Sequence, residues 1–597
     1  MSGLKIAAVR DIFGIDLRTL ALFRVGLAFL LLIDLALRAR DLTAHYTDLG
    51  ILPRSMAVEF LSSGAFSLHL LNGTVWFQAG LFILAAFVAA MLLVGFRTRL
   101  VTIVSWVLLL SLQNRNPQIL SSADNLILLL TFWAMFLPLG GRFSIDAALD
   151  RRSPPVPNAY YSMASIALLI QGMSLYFFGA LLKSDAQWIP DGTAVYYALQ
   201  LDYRVTSFAL WLREFPSLLQ GLTYAVWALE LTGPLIIFSP VFHRTFRLVA
   251  LGGFIALNLG LFLCLEMGLY PLVAILMNLV FLPGWMWDWL GAKVRIVAQD
   301  SLVIYYDEGC AFCHKTCRLL TTFLILPDVS IQPAQTDPKA AVLLAVNNSW
   351  VVSDGGEGDY LEWDAVLHLV SCSPLFWPLA RIMSLQPLKS LGERFYQLVV
   401  RKRPLLGRAT AVALPWRPAR MRSGLVNHVL AGIFLAFVTF QNFTTLPGFP
   451  LRMSDDLTAF RQTMGLYQNW TQFAPHPKMT SAWPVILGEL TDGAVVDVYN
   501  RRPKIPDWEK PAVVSAVYAN NRWRTYLSAM EDLSYEDGGN LLALNYARYL
   551  CRTWNATASS GKELSVFNIY FNVEASLPEY RPRIVRNRLI WSHDCAA

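Results

Sequence analysis

Charge is scarce in this chain. Only 15% of its 597 residues are Asp, Glu, Lys or Arg, where a soluble protein carries about 25%. That shortage, with 55% hydrophobic residues and a mean hydropathy of +0.44, excludes a wholly soluble protein. It predicts an integral membrane protein with room for several domains. Histidine is scarcer still. The eight are His45, His69, His243, His314, His368, His428, His476 and His593. All are read as lying outside the first eight apolar segments, so no haem or metal is expected within them. Seven cysteines (Cys264, Cys310, Cys313, Cys317, Cys372, Cys551, Cys595) are too few for a dense disulfide scaffold. The opening MSGLKIAAVRDIFGIDLR lacks a signal-peptide cleavage pattern, so the first apolar segment is expected to stay as a helix. No internal repeat or low-complexity tract occurs.

Long apolar runs are what the chain does have. They fall at 19–39, 75–95, 99–113, 124–140, 161–182, 219–239, 246–266 and 269–290, with a ninth, 425–441, standing alone. Spanning takes about 20 apolar residues, so 99–113 and 124–140 are short. The expectation is a helical bundle of about eight spans plus one. Net charge is +7, but basic residues in short loops set membrane orientation, so no nucleic-acid partner is needed to explain it. The basic loops 96–99, 142–152 and 243–247 fall on one side if the N-terminus is cytoplasmic. Residues 291–423 then return to the cytoplasm, and the ninth span exports 448–597.

Between the eighth and ninth spans, 301–410 reads as a soluble α/β unit. LVIYYD is a short strand and AFCHKTCRLLTTFLI a helix. Cys310 and Cys313 sit at the start of that helix, where N–H groups and the helix dipole stabilise a thiolate. One cysteine attacks a disulfide and the other resolves the mixed disulfide. His314 and Lys315 are expected to add positive character. A zinc site built with His314 and Cys317, or an inert pair, are the blander readings; zinc usually takes four ligands, and no second CxxC exists. Asp307, Cys310 and Cys313 resemble the Asp-x-x-Cys-x-x-Cys motif of the DCC family of thioredoxin-like proteins. That resemblance implies thiol–disulfide exchange. A cytoplasmic dithiol fits a reductant better than a maker of disulfides.

Ionisable groups within apolar segments are functional-site candidates. Here they are Arg24, Asp34, Asp124, Lys183, Glu230 and Glu266. Arg24 and Asp34 read as structural pairs or helix-end residues, and Glu230 and Glu266 as partners for loop arginines. Lys183 closes the fifth segment at its outer end, either as a snorkelling anchor or as a chemical group. FR at 23–24, DNLILLLTFWAMF at 124–136, RFSID at 142–146 and YFFGALLKSDAQW at 176–188 resemble the HTTM domain shared with vitamin K-dependent γ-carboxylase. QNWTQFAPHP at 468–477 resembles the segment after that family's last span. The resemblance implies that Lys183 is a catalytic base on a quinol, which requires an amine made neutral by desolvation. It also implies Asp124, Asp185, Trp188 and Asn258 as substrate-binding residues. Asp185 either opposes Lys183 or caps the outer helix. The carboxylase has histidines where this chain has Ala123 and, in a looser match, Asn258. Quinol binding with proton or redox chemistry is therefore expected rather than full carboxylation.

The tail alternates like strands at WPVILGEL, AVVDVYN and VFNIYFNVEA, interrupted by a helix near 538–554. Cys551 and Cys595 are disulfide candidates in an oxidising compartment. The expected whole is a multi-domain integral membrane protein. An α-helical bundle spans 1–290, a thioredoxin-like α/β unit 301–410, and a further helix 424–445. A β-rich extracytoplasmic domain spans 448–597. The expected cofactor is a vitamin K-like quinol or quinone, without metal or haem. The expected partners are membrane lipid, that quinone and a polypeptide at the outer face. Two other readings are a thiol–disulfide reductase with the bundle as platform, and a non-enzymatic scaffold.

Overall fold

The computed structural model describes residues 9–59, 61, 64–151, 157–294, 302–326, 329–355, 358–418, 421, 423–533, 540–577 and 584–596. A helix stands at each of the first eight apolar segments: α1 Leu17–Ala39, α2 Val75–Val94, α3 Thr98–Arg115, α4 Ser122–Ala134, α5 Met163–Leu182, α6 Pro216–Ile236, α7 His243–Cys264 and, for the eighth, the pair α8 Tyr270–Leu279 and α9 Gly284–Val294. The eighth segment was expected as one span. It is bent by 89° between α8 and α9. Pro283 explains the break: its ring disfavours helical geometry at Leu282, and it supplies no N–H. Among the described residues, α1, α2, α5, α7 and the later helix Leu425–Thr444 are long and apolar enough to cross a membrane, and the bent pair makes a sixth.

The loops sort into two ends. An 18-residue helix such as α3 is about 27 Å long, so the turn before it and the loop after it lie far apart. One end carries 95–97, 135–151 and 157–162; the other carries 40–59, 64–74, 116–121 and 183–215.

The unit after the bundle contains β1 Val303–Tyr306, α10 Ala311–Phe323, β2 Ser330–Pro333, α11 Pro338–Asn347, β3 Val351–Ser353, β4 Asp359–Leu361, α12 Glu362–Ser371 and α13 Gln386–Ala413. Its sheet order is β2-β1-β3-β4, with β1 parallel to β2 and the other pairs antiparallel. It docks on the first end of the bundle. The Arg318 guanidinium donates to the carbonyls of Ala148 (2.7 Å) and Asp150 (2.5 Å).

After α14, Leu425–Thr444, the chain reaches the other end. There β5 Thr480–Leu490, β6 Val495–Asp497, α15 Asn521–Leu533, α16 Leu541–Asn555, β7 Leu564–Ala575 and β8 Ile584–Asp594 form an antiparallel sheet, β8-β7-β5-β6, with the two helices against it. It is less purely β than expected. It covers the bundle end through Ser515 Oγ to the Val205 carbonyl (2.8 Å) and the Arg524–Glu266 ion pair (2.9 Å). Arg522 enters the bundle, 2.6 Å from Asp34 and 3.1 Å from Asp124; Arg38 pairs with both acids as well.

Cys551 on α16 is disulfide-bonded to Cys595 beyond β8, across a sequence separation of 44. A loop of that size restricts the unfolded chain by about 4 kcal/mol in the chain-entropy treatment. Cys551→Ser/Cys595→Ser is expected to lower the thermal midpoint of this domain, read by calorimetry in detergent.

Candidate functional site

At the C-terminal end of α5 the apolar run stops at Lys183, which is only 7% exposed. Its ammonium forms an ion pair with the Glu230 carboxylate from α6 and lies 4.5 Å from the centre of the Trp188 ring. Glu230 was expected to meet a loop arginine; its partner is the lysine 47 residues earlier. Glu266 does meet an arginine, Arg524. Arg24 does not pair with Asp34: it donates to the carbonyls of Leu139, Arg142 and Phe143.

The Lys183–Glu230 pair faces a cavity of about 370 Å³ lined by α5, α6, α7 and Asn469, Trp470, Gln472 and Phe473. Leu175, Leu229, Leu257 and Leu261 give it an apolar wall. Two turns before Lys183 on α5 stands Tyr176, stacked on Phe254 with ring centres 4.1 Å apart. Its hydroxyl accepts from the Asn258 and Asn278 side-chain amides, each at 2.8 Å. Asn258 also donates to the Phe254 carbonyl, which fixes its orientation and leaves its Oδ1 buried with no hydrogen-bond partner among the described residues. An orphaned acceptor in a cavity wall suits a ligand hydroxyl.

The structure gathers Lys183, Trp188 and Asn258 at this cavity and leaves two expected residues out. Asp185 turns its carboxylate to the Gln187 backbone N–H (2.9 Å), so it caps the following turn and does not face Lys183. Asp124 accepts from the Ser121 N–H and pairs with Arg38 and Arg522, so its charge is spent in the domain interface. Tyr176, Asn278, Trp470 and Phe473 are further site residues that the sequence did not single out individually. Three of them lie within quoted motifs, which was the available signal.

A buried amide network carries Trp470 and Phe473 into place. Gln171 and Gln468 exchange side-chain hydrogen bonds at 3.0 Å, and Asn442 donates to Gln468 Oε1 at 2.9 Å. Trp470 Nε1 then donates to Asn442 Oδ1 at 2.8 Å. Trp188 Nε1 in turn donates to the Phe473 carbonyl at 3.1 Å. Gln468→Ala strands two buried amides at about 1–3 kcal/mol each. It is expected to lower the thermal midpoint and open the cavity wall, read as faster quenching of Trp470 fluorescence by a lipid-soluble quencher.

At the other end, Cys310 is the N-cap of α10 and is disulfide-bonded to Cys313. Asp307 shapes the turn: its Oδ1 accepts from the Gly309 N–H (3.1 Å) and from Gln335 Nε2 (3.2 Å). His314 is sandwiched between Tyr306 (4.6 Å) and Trp416 (5.1 Å). Burial, followed by the charges of Arg151 and Arg318, pushes its pKa down to about 4. It is therefore neutral near pH 7, contrary to expectation. Lys315 directs its ammonium to the Thr410 carbonyl (2.8 Å). The positive charge beside His314 belongs to Arg151, 3.4 Å from its Nδ1. Cys317 faces the core of the unit, and burial pushes its thiol up to about 12. Such a thiol is a poor nucleophile.

Residues 14–289 match the HTTM domain, and residues 304–409 match the DCC1-like thiol-disulfide oxidoreductase. No curated protein and no solved structure matches the chain.

Proposed function

From a chain that carries an HTTM domain and a DCC1-like thiol-disulfide oxidoreductase domain, we propose a membrane thiol–disulfide oxidoreductase whose bundle also holds a lipid-soluble quinol. The two domains together support a membrane thiol–disulfide redox role. The Cys310–Cys313 disulfide at the start of α10 carries the reading.

In the reduced protein, the Cys310 thiolate attacks a partner disulfide and releases one partner thiol. The Cys313 thiolate then attacks the Cys310 sulfur of the mixed disulfide, which forms the Cys310–Cys313 bond and expels the second partner thiol. The partner gains two electrons and two protons, and the protein is left with the Cys310–Cys313 bond. In our reading this dithiol faces the cytoplasm, with the basic loops 96–99 and 142–152, and the C-terminal domain lies outside. A polypeptide partner is proposed at that outer face.

The quinol proposal rests on the cavity. Its apolar wall takes a ring, and Asn258 Oδ1 accepts from a ring hydroxyl. Lys183 can take a proton only after passing its own to Glu230 or to water, so the base is the Lys183–Glu230 pair rather than the amine alone. That same pair favours a second reading, in which the ion pair is structural and the bundle is a platform for the dithiol.

The experiment uses full-length protein in detergent, reduced, with a small disulfide probe. Cys310→Ser is expected to abolish probe reduction, while Cys317→Ser leaves it within about twofold, since a buried thiol takes no part. Equal rates for Cys310→Ser and the unchanged protein would overturn the oxidoreductase reading.

A further inference from the structure

A second, larger cleft lies at the end of the bundle that carries the dithiol unit. It has a volume of about 520 Å³ and opens between the start of α3, the start of α14 and the 135–141 turn. Three arginines line it, Arg97, Arg99 and Arg417, against one carboxylate, Asp146. That carboxylate is already occupied. It accepts from the Arg97 and Thr98 N–H groups (3.0 and 2.8 Å) and pairs with Arg417 at 2.5 Å. The other two arginines have no acid partner among the described residues. Arg99 donates only to the neutral Asn427 Oδ1, at 3.3 Å. The Arg97 guanidinium has the Phe96 ring, 5.7 Å away, as its neighbour. The cleft is amphipathic. One and two turns along α3, Leu100 and Ile103 are 53% and 39% exposed and continue its wall as an apolar strip.

We propose that this cleft binds an anionic phospholipid, with the phosphate between Arg97 and Arg99 and an acyl chain along Leu100 and Ile103. Guanidinium groups recognise phosphate oxygens in pairs. α14 begins beside the cleft with no side-chain cap, so its dipole adds to the attraction. The apolar strip directly beyond the charges is what selects a lipid over a soluble phosphate. Bound lipid would sit against the start of α14, where Asn427 already meets Arg99.

The test reconstitutes the full chain in mixed bilayers of phosphatidylglycerol and phosphatidylcholine. Lipid retained after detergent extraction is then counted by native mass spectrometry. The unchanged protein should retain the anionic lipid about 30-fold over the zwitterionic one, the effect of two basic residues at a membrane surface. Arg97→Ala/Arg99→Ala should reduce that preference to near parity with an unchanged thermal midpoint, and Arg97→Lys/Arg99→Lys should restore most of it. No preference in the unchanged protein, or one that survives the alanine pair, overturns the proposal. Full displacement by excess inorganic phosphate overturns the lipid assignment, because it marks a site for a free anion.

Discussion

Lys183→Ala is expected to cost turnover of a quinol by about 100-fold to 10,000-fold, the range for losing a positioned proton acceptor. It is also expected to destabilise the protein by about 3–5 kcal/mol, because it leaves Glu230 as a buried charge without its partner. The Glu230 side chain is 13% exposed and Lys183 5%, so water does little to replace the lost ammonium. The two effects separate in a double variant. Lys183→Met/Glu230→Leu removes both charges and fills the space with apolar atoms, an exchange that is often neutral for stability. Its thermal midpoint should return close to that of the unchanged protein, while quinol turnover stays lost. Restored turnover in the double variant would make the pair structural and leave the platform reading. Neither variant is expected to change reduction of a disulfide probe at Cys310, which lies in a separate unit at the far end of the bundle.

Much of the architecture was legible because the bilayer imposes it. A spanning helix must be long and apolar, so α1, α2, α5, α7 and α14 can be read from hydrophobic length alone. The dithiol was legible for a local reason: Cys310, Cys313 and the helix start lie within four residues. What stayed hidden depends on contacts far apart in sequence. Nothing near Lys183 announces Glu230, and Asp185, two residues on, is the more obvious partner until its carboxylate is seen capping Gln187. Asp124 carried the resemblance of its helix but is claimed by Arg522, 398 residues later. β8 was missed because it is an edge strand with a largely exposed, polar pattern. Gln171, Asn442 and Gln468 were visible as amides in or beside apolar runs. Only the fold shows that they bond to one another and build the cavity wall.

Arg522→Ala should release the C-terminal domain from the bundle. Asp34 and Asp124 would then share Arg38 alone, and one acid would be left buried without a counter-charge, at about 3–5 kcal/mol. Trp523 and Asn520 would lose their anchorage on Asp41 in the same step, since both flank Arg522. Limited proteolysis of the full chain should then cut between α14 and β5, where the unchanged protein resists. Arg522→Lys keeps the charge but not the fork that reaches both acids, so it should fall between the two. His45 gives this interface a pH dependence. Its ring packs 4.6 Å from Trp523, and burial lowers its pKa to about 4; Asp41 opposes the shift, while Arg522 and Arg38 reinforce it. An unfolded histidine takes up its proton near pH 6.5, so the folded form binds fewer protons between pH 6.5 and 4. Docking is therefore at full strength above about pH 6.5 and weakens as the pH falls to about 4. Removing Arg522 removes one of the cations holding the ring neutral, which raises its folded pKa and shallows that slope. A variant whose docking weakens at neutral pH while losing acid sensitivity is the signature of His45 and Arg522 acting in one buried cluster.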